Sequence, residues 1–369
     1  MEDTPTVCIA GKNSIAVDGL KYIKDNFPDI NLLFIANSTD NGYDGWQPSL
    51  KKIATFLNVK EVTLEEIYSI QNLIFLSLEY SEIVDTRQFA TDRLYNIHFS
   101  ALPKYKGMYT ATLPLLNGDD KSGVTLHKID QGIDTGDIIA QILFDISIED
   151  TARDLYHNFL RHSYDLLTAN INTLLENDFS IAQQSPIKST YNSINSINFS
   201  KIDINFRKTA YEIHNQYRAY TFREYQMPTF AGWQIIKSEI TEQRSLKKPK
   251  SVINETETYF LVSSIDYNVL LYKDYYPVFW ESCKSGDTYT VKNVLRYIDD
   301  LNLKNENGLN GLIIATYFGR ADVVCELIRR GADPTITDYE GSTAFDVAVN
   351  YYDKTKDDSI IKLLRESGD

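Results

Sequence analysis

Residues 6–23 read TVCIAGKNSIAVDGLKYI and set the start of the fold. The run from Thr6 to Ala10 is short and apolar, which is typical of a strand buried on both faces. The turn Gly11–Ser14 follows, and the apolar residues after it return with helical spacing. This segment predicts a strand, a turn and a helix, with backbone N–H groups and Lys12 forming an anion site at the helix N-terminus.

The same alternation continues along the chain. Buried strands are predicted at Asn31–Ala36, Leu73–Leu78 and Leu94–Phe99, with helices at Leu50–Leu57 and again after Ser81. Strands that alternate with helices predict a parallel sheet covered on both faces. No Gly-x-Gly-x-x-Gly motif follows a strand, so the sequence gives no support for a dinucleotide cofactor.

The middle of the chain changes character. A long helix is predicted from about Thr151 to Glu176, and Gln183–Ser200 is rich in Ser, Asn and Gln, which indicates a connector. Beyond residue 201 the pattern predicts one helix, Ala210–Tyr217, and several short strands up to about residue 270. We expect a small second α+β domain here.

The C-terminal part contains an internal repeat of about 33 residues. This period aligns Gly286 with Gly319 and Gly308 with Gly341. The middle copy and the last copy resemble ankyrin repeats, each a turn with two short helices, whereas the first copy is degenerate. So short a stack is expected to depend on the rest of the chain for stability, because each repeat buries its face only against a neighbour.

Composition limits the classes of function. The 369 residues are 43% apolar and 24% charged, the balance of a soluble globular protein. The formal net charge of -14 argues against a nucleic-acid partner, which would need a basic face. The acidic N-terminus lacks the basic region of a signal peptide, and no apolar run approaches the ~20 residues of a membrane helix. We therefore expect a cytoplasmic chain with no membrane partner.

The cysteines and histidines predict no metal or disulfide framework. Cys8, Cys283 and Cys325 are widely spaced, and each lies in an apolar run. Buried free thiols are therefore favoured over disulfides. No Cys and His spacing resembles a zinc site, so no metal is expected.

The most informative stretch is residues 96–107, NIHFSALPKYKG. Asn96 and His98 are two apart on a strand, so both side chains leave the same face. Leu102–Pro103 ends the strand immediately afterwards, which puts the pair at its carboxyl end, where open α/β sheets bind ligands. An amide beside an imidazole suits oxyanion stabilisation and proton transfer. On these residues alone, a core histidine and a strand-end cap are the favoured explanation of the pair.

A second segment favours the catalytic interpretation. Residues 123–139 read GVTLHKIDQGIDTGDII, which predicts a strand, a loop with Asp130 and Asp134, and another strand. Together the two segments resemble the folate-dependent formyltransferase family, whose motifs they match without a gap over roughly residues 6–180. The resemblance implies a Rossmann-like formyltransferase fold and a catalytic trio of Asn96, His98 and Asp134.

The resemblance also implies roles for these residues. Asn96 would donate a hydrogen bond to the oxyanion that forms when an amine attacks the formyl carbon. His98 would donate to the same oxygen or relay the proton of the amine, and Asp134 would orient the imidazole and raise its pKa. His127, on the neighbouring strand, is expected to support the site. The co-substrate would be N10-formyltetrahydrofolate, its pterin lying between two loops that contain Tyr80, Ser81, Glu82, Ile83, Ile129 and Asp130.

Several cations and aromatic residues suggest the acceptor. Lysines near one sheet edge favour a diphosphate over tRNA, which would need a broader basic surface. Residues 218–222, RAYTF, resemble a segment of sugar formyltransferases that holds the nucleotide, although core packing explains Phe222 and Tyr225 equally well. The expected substrate-binding residues are Gly11, Lys12, Asn13, Ser100, Lys104, Tyr105, Lys106, Gly107, Arg218, Phe222 and Tyr225.

The resemblance therefore implies an N-formyltransferase that acts on a dTDP-linked amino-dideoxy sugar, with dTDP-3-amino-3,6-dideoxyhexose of glucose or galactose configuration as the first expectation. The product would serve bacterial O-antigen and lipopolysaccharide biosynthesis. A dTDP-4-amino or UDP-4-amino sugar is the alternative acceptor, and an ankyrin protein-binding scaffold is the alternative class of protein.

Three domains are expected: a catalytic domain over residues 1–195, a small second domain for nucleotide contacts and dimerisation over 196–273, and ankyrin repeats over 274–369. A homodimer is expected. The ankyrin region would bind a protein or, alternatively, a second nucleotide-sugar at Trp280 and Tyr317, where core packing is the competing interpretation.

Overall fold

The computed structural model describes residues 5–366. They form two compact units. The first comprises the chain up to Tyr43 with Gln47–Asn205 and Tyr211–Phe222, and the second comprises Asp44–Trp46, Phe206–Ala210 and the chain from Arg223 onward.

The first unit is built on a seven-stranded sheet with the strand order β3-β2-β1-β4-β5-β7-β8. The first five of these strands pair in parallel, as predicted, but β7 is antiparallel to β5, and β8 is antiparallel to β7. A single loop joins β7 to β8 directly, and that connection is too short for a parallel crossover. The strands of this sheet are β1 (Thr6–Gly11), β2 (Asn31–Ala36), β3 (Lys60–Glu61), β4 (Leu73–Leu78), β5 (Leu94–His98), β7 (Lys121–Lys128) and β8 (Ile138–Asp145). A separate two-stranded sheet pairs β6 (Lys106–Gly107) with β9 (Tyr191–Asn192) in parallel.

Helices cover the sheet at both faces. They are α1 (Asn13–Asn26), α2 (Leu50–Phe56), α3 (Leu64–Ile67), α4 (Leu113–Asn117), α5 (Ala152–Glu176) and α6 (Ala210–Tyr220). The helix predicted after Ser81 is wrong, because only a 3₁₀ turn forms there, at Thr86–Gln88. The Asp85 carboxylate accepts from the Arg87 backbone N–H and guanidinium, and such local side-chain bonds compete with a helix.

The two faces of this sheet differ in what covers them. One face packs Cys8, Phe75 and Leu94 against α3 and the loop that contains Phe89. The other face packs against α1 and α5, where Phe99, just beyond β5, stacks on a helical phenylalanine 5.4 Å away. Because side chains alternate along a strand, Asn96 and His98 leave the same face as Leu94.

The second unit contains a five-stranded sheet of order β10-β11-β14-β13-β12 and six helices. Its strands are β10 (Thr229–Phe230), β11 (Trp233–Arg244), β12 (Val252–Glu255), β13 (Tyr259–Val262) and β14 (Tyr267–Lys273). Its helices are α7 (Tyr276–Ser285), α8 (Thr288–Val294), α9 (Gly311–Tyr317), α10 (Ala321–Arg329), α11 (Ala344–Thr355) and α12 (Ser359–Glu366).

These six helices form three consecutive pairs that share one apolar core, as the sequence period predicts. The aligned glycines Gly286 and Gly319, and likewise Gly308 and Gly341, all adopt left-handed backbone angles, with φ between 68° and 87°. At Gly319 a Cβ would lie 2.2 Å from the Tyr351 hydroxyl, so only glycine fits.

The cysteines depart in part from expectation. Cys8 and Cys283 are buried, but Cys325 is exposed on α10, so the prediction of a buried thiol is wrong for Cys325. Its two neighbours in sequence, Val324 and Glu326, turn toward the interior instead. None of the helices within residues 5–366 has the length and apolar character to cross a membrane. The same residues contain no cluster of three His, Cys, Asp or Glu side chains able to hold a metal ion.

Candidate active site

The predicted catalytic side chains meet at the carboxyl end of β5. Asn96 pairs with His127 of β7 across the antiparallel ladder, and His98 pairs with Thr125. Asp134 comes from the loop between β7 and β8, where its left-handed backbone (φ 52°) turns the carboxylate inward. Strands and a short loop therefore bring together four polar groups from two sequence segments.

Asp134 is the hub of this cluster. Its Oδ2 accepts from the Gly107 backbone N–H at 2.8 Å and lies 3.4 Å from His98 Nδ1. Its Oδ1 lies 3.3 Å from Asn96 Nδ2 and 3.6 Å from His127 Nε2. One carboxylate therefore contacts both predicted partners and the supporting histidine.

Hydrogen bonds determine the tautomers of both histidines. His127 Nδ1 lies 2.7 Å from the Lys128 carbonyl, so it donates there and leaves Nε2 to accept from Asn96 Nδ2 at 3.1 Å. His98 Nε2 lies 2.8 Å from the Tyr105 carbonyl oxygen and must likewise donate. The lone pair of neutral His98 is then on Nδ1, facing the Asp134 carboxylate. A proton gained at Nδ1 would form an ion pair.

The pKa values of the pair move in a direction that the sequence did not predict. Burial raises the pKa of Asp134, but His98, His127 and the Gly107 N–H outweigh it and hold that pKa at about 2. Burial lowers the pKa of His98, and this exceeds the opposite effect of Asp134. Asp134 thus acts to raise the pKa of His98, as predicted, but burial outweighs it and the net shift is downward. The resting site pairs an ionised aspartate with a neutral imidazole.

A cavity of about 470 Å³ opens on the sheet face that carries Leu94. Ile129 and Asp130 line it, as the resemblance implied, but Tyr80, Ser81, Glu82 and Ile83 do not. Its other lining residues, which sequence reasoning missed, are Thr86, Phe89, Ala90, Thr91, Asp92, Leu94, Lys128, Gly136 and Asp137.

The segment Tyr80–Ile83 has other contacts instead. The Tyr80 ring packs on Phe75 and its hydroxyl donates to Glu82 at 3.1 Å, while Ile83 is 81% exposed. The buried Asn37 accepts from the Ser81 backbone N–H at 3.1 Å.

The predicted anion loop is partly occupied by the protein's own groups. Gly11 is required there, because a Cβ would lie 1.9 Å from the Leu78 carbonyl oxygen. The Ser14 backbone N–H, expected to face a ligand, donates to Gln47 Oε1 at 3.0 Å. The Asn13 amide donates to Glu79 at 3.2 Å. Lys12 keeps a partly exposed side chain beside this carboxylate.

The predicted residues of the loop after β5 separate into two groups. Lys104 Nζ lies 3.0 Å from Asp119, to which the Tyr105 hydroxyl also donates, and Ser100 Oγ bonds the Lys104 carbonyl within the loop. Lys106 is 8% exposed and, within the described residues, has no carboxylate partner at ion-pair distance. It lies close enough to lower the pKa of His98. Of this group, Lys106, Gly107 and the Tyr105 carbonyl therefore lie at the site, while Ser100, Lys104 and the Tyr105 side chain hold the loop.

Arg218 and Phe222 are buried in the first unit, which argues against their predicted ligand contacts. The Arg218 guanidinium bonds Asn215 Oδ1 and the Ser147 carbonyl oxygen, both at 2.9 Å. Phe222 is 5% exposed and packs edge-on against Tyr156. These contacts agree with the packing interpretation, and nucleotide binding by the two residues stays an untested prediction.

Of the predicted aromatic ligand contacts in the second unit, two are exposed and one is buried. Tyr225 is 61% exposed with its ring edge-on to Trp46. Trp280 is 8% exposed, lies in the core of the helix pairs and has the Arg223 guanidinium 5.6 Å from its ring. Tyr317 is 61% exposed. The burial of Trp280 agrees with the competing interpretation, core packing, and its stacking on a base stays an untested prediction.

Two families of known proteins match parts of this chain. Residues 81–171 match the formyl transferase family, and residues 298–348 match ankyrin repeats. The crystal structure of WlaRD, a sugar 3N-formyltransferase in the presence of dTDP and 5-N-formyl-THF, is 47% identical and covers 73% of this chain and 98% of its own, with a TM-score of 0.69. The N-formyltransferase from Helicobacter canadensis, in complex with folinic acid and dTDP-3-aminofucose, is 46% identical and covers 73% of this chain and 100% of its own, also with a TM-score of 0.69.

A curated relative extends the comparison. The methionyl-tRNA formyltransferase of Clostridium novyi is 30% identical over 225 residues, 58% of this chain and 68% of that protein. The chain spans about two thirds of the length of the curated relatives it matches.

Proposed function

This chain belongs to the folate-dependent formyltransferase family, and we propose that it transfers the formyl group of N10-formyltetrahydrofolate to the amine of a dTDP-linked amino sugar. One observation carries the choice of acceptor: two sugar N-formyltransferases match this chain at 46–47% identity over 98–100% of their own length. One of these was solved with dTDP-3-aminofucose. The favoured acceptor is therefore a dTDP-3-amino-3,6-dideoxyhexose.

Asn96 is the proposed donor to the formyl oxygen, where negative charge develops as the amine attacks. Its Nδ2 group has two hydrogens, which the resting site directs at His127 and Asp134. The 3.3 Å contact to Asp134 is the longer and weaker of the two, so it is the bond that Asn96 exchanges for the substrate oxygen. The bond to His127 keeps the amide in place, which explains why a buried histidine lies behind it.

His98 is the proposed acceptor of the proton that the attacking amine loses. The Tyr105 carbonyl holds the proton of neutral His98 on Nε2, so Nδ1 is free to accept. The Asp134 carboxylate, 3.4 Å from Nδ1, then stabilises the imidazolium. A base of this kind contributes roughly 10²–10⁴-fold to a rate.

The cavity beside Leu94 fits the pterin of the co-substrate. Its volume of about 470 Å³ lies within the range of small-molecule sites, and it opens on the face that carries Asn96 and His98. Ile129 and Phe89 offer apolar contacts, while the Asp130 and Asp92 carboxylates can accept from amino groups of a pterin ring. Bound there, the folate supplies the formyl group.

The acceptor side is proposed to contain Lys12 and Lys106. Both cations lie at the carboxyl end of the sheet, and within the described residues the buried Lys106 has no carboxylate partner that would compete with a phosphate. Methionyl-tRNA is the second candidate acceptor, since the curated relative is named for it. The net charge of -14 disfavours an RNA partner. A 4-amino sugar, linked to dTDP or UDP, remains the alternative within the sugar class.

The wider role is proposed from the same chemistry. A formylated sugar nucleotide is a donor for glycosyl transfer, which suits O-antigen and lipopolysaccharide assembly from a cytoplasmic pool. A homodimer through the second domain and a protein-binding or nucleotide-sugar-binding ankyrin region complete the proposal.

A panel assay tests the acceptor. Purified protein with N10-formyltetrahydrofolate is offered dTDP-3-amino, dTDP-4-amino and UDP-4-amino sugars and methionyl-tRNA, and initial rates are compared. We expect kcat/KM to be highest for a dTDP-3-amino sugar. Formylation of methionyl-tRNA alone would contradict the proposal.

A further inference from the structure

A carboxylate outside the catalytic trio lies in line with the site. Gly11 of β1 pairs with Leu78 of β4, and Leu78 pairs with Ile97 of β5. The next position on each strand therefore forms a row across the sheet edge: Lys12, Glu79 and His98. Adjacent strands are about 4.8 Å apart, so Glu79 lies midway along a span of roughly 10 Å.

The backbone aims Glu79 toward one face. Leu78 points toward α1, where a Cβ on Gly19 would lie 3.1 Å from it. Alternation would send Glu79 to the opposite face. The left-handed backbone of Glu79 (φ 58°) instead turns its side chain toward α1 and α5. Asn37 Nδ2 donates to the Glu79 carbonyl oxygen at 3.0 Å and holds this conformation. Such a conformation is unfavourable for a residue other than glycine and persists only where its surroundings enforce it.

The carboxylate is held by neutral donors only. The Tyr156 hydroxyl of α5 lies 2.9 and 3.0 Å from its two oxygens, and Asn13 Nδ2 donates to one of them at 3.2 Å. No Lys or Arg of residues 5–366 forms an ion pair with it, and its side chain is partly accessible. A carboxylate can accept up to about four hydrogen bonds, so both oxygens retain acceptor capacity.

We infer that Glu79 recognises the acceptor: its carboxylate accepts a hydrogen bond from a hydroxyl of the hexose that links the diphosphate to the reacting amine. The inference rests on the proposed function. A sugar whose diphosphate lies at Lys12 and whose amine reaches His98 crosses the carboxyl edge of the sheet at the strand between them, and that strand carries Glu79. Tyr156 and Asn13 orient the carboxylate for this contact.

The titration of Glu79 supplies a readout that a purely structural role would not move. Burial raises the pKa of Glu79 to about 7, whereas Tyr156, Lys12 and Asn13 each act to lower it. The charged group near it is Lys12 from the loop before α1, and the titratable Tyr156 hydroxyl contacts it from α5. As pH falls through 7 the carboxylate is neutralised, so the KM for the sugar nucleotide should rise.

The test compares Glu79→Gln with Glu61→Gln, the same change at an exposed position of β3. We expect Glu79→Gln to raise the KM for the dTDP-amino sugar about 10- to 100-fold, with the KM for formyl-folate within twofold of wild type. The pH dependence of the acceptor KM near 7 should disappear in this variant. Tyr156→Phe should move that transition to higher pH, because the lost bond favoured the ionised form.

Several outcomes would overturn the inference. One is an equal acceptor KM in Glu79→Gln and Glu61→Gln. Another is a rise in both the acceptor KM and the formyl-folate KM of Glu79→Gln together with a lower melting temperature, which would indicate that Glu79 only links α1 to α5. Should Glu79→Gln fail to fold, the direction of the shift in Tyr156→Phe decides alone. If the wild type formylates no amino-sugar nucleotide, the proposed function fails and Glu79 loses its ligand. If the wild type is active and Glu79→Gln has the wild-type acceptor KM, only the role of Glu79 is contradicted and the proposed function stands.

Discussion

The pairing of Asp134 with His98 is open to a direct test by Asp134→Asn. The substitution keeps the shape of the side chain and removes its charge. Two unit charges 3.4 Å apart attract by about 5 kcal/mol at an effective dielectric of 20, which is an upper value for the stabilisation of protonated His98. Allowing for partial compensation by solvent, we expect kcat to fall about 10²–10³-fold.

The pH profile should change together with the rate. Asp134 opposes the effect of burial on His98, so its removal should lower the pKa of that histidine further. The acidic limb of the kcat profile should then move to lower pH, although the whole curve lies below that of the wild type. Single-turnover rates between pH 5 and 9 measure both quantities.

A matched variant separates this effect from general damage. Asp145→Asn makes the same change at an exposed position of β8, where the carboxylate contacts only Lys121 in the described residues. It should leave kcat within twofold of wild type. If Asp134→Asn also keeps kcat within about threefold, the carboxylate does not stabilise the protonated imidazole and the reasoning is refuted.

Three further changes address other parts of the chain. Glu79→Gln should melt at a higher temperature than wild type above pH 7 but not near pH 4. The pKa of Glu79 in the folded chain is about 7, above the ~4.3 of an unfolded glutamate, so ionisation of Glu79 opposes folding. Equal melting temperatures of the variant and the wild type at both pH values would contradict the burial of this charge. Arg218→Ala should lower the free energy of unfolding by about 2–4 kcal/mol in urea titrations and leave the acceptor KM unchanged, because the Arg218 guanidinium bonds protein carbonyls. A large rise in the acceptor KM would instead support the predicted role of Arg218 in ligand binding. In the same titrations, Gly319→Ala should destabilise the chain by about 2–4 kcal/mol and Gly341→Ala by only about 1 kcal/mol. A Cβ at Gly319 would meet the Tyr351 hydroxyl, whereas a Cβ at Gly341 would meet open space. Equal losses of stability in the two variants would count against this packing.

Local sequence patterns predicted most of the fold. The apolar runs 31–36 and 73–78 form strands with the predicted bounds, and the period of about 33 residues places both glycine pairs in left-handed turns. These features depend on neighbours in the chain, so their signal is complete within a short window. The 3₁₀ turn near Arg87 was missed because a local ion pair with Asp85 overrode the helical spacing.

The site was predictable where the motif itself supplies the contacts. Asn96, His98 and Asp134 meet as the resemblance implied. Partners distant in the chain were not predictable: the Ser147 carbonyl occupies Arg218, and Gln47 covers an N–H group of the anion loop. The pKa direction of His98 also depends on burial by distant elements, which a sequence motif does not encode.

Transfer of a labelled formyl carbon tests the central claim most directly. The protein is incubated with N10-formyltetrahydrofolate carrying ¹³C in the formyl group and with a dTDP-3-amino-3,6-dideoxyhexose, and the product is examined by NMR and mass spectrometry. We expect the label to appear as a formamide on the sugar amine, at a rate that Asp134→Asn reduces at least a hundredfold. Label that stays on the folate, or leaves it only as free formate, would contradict that claim.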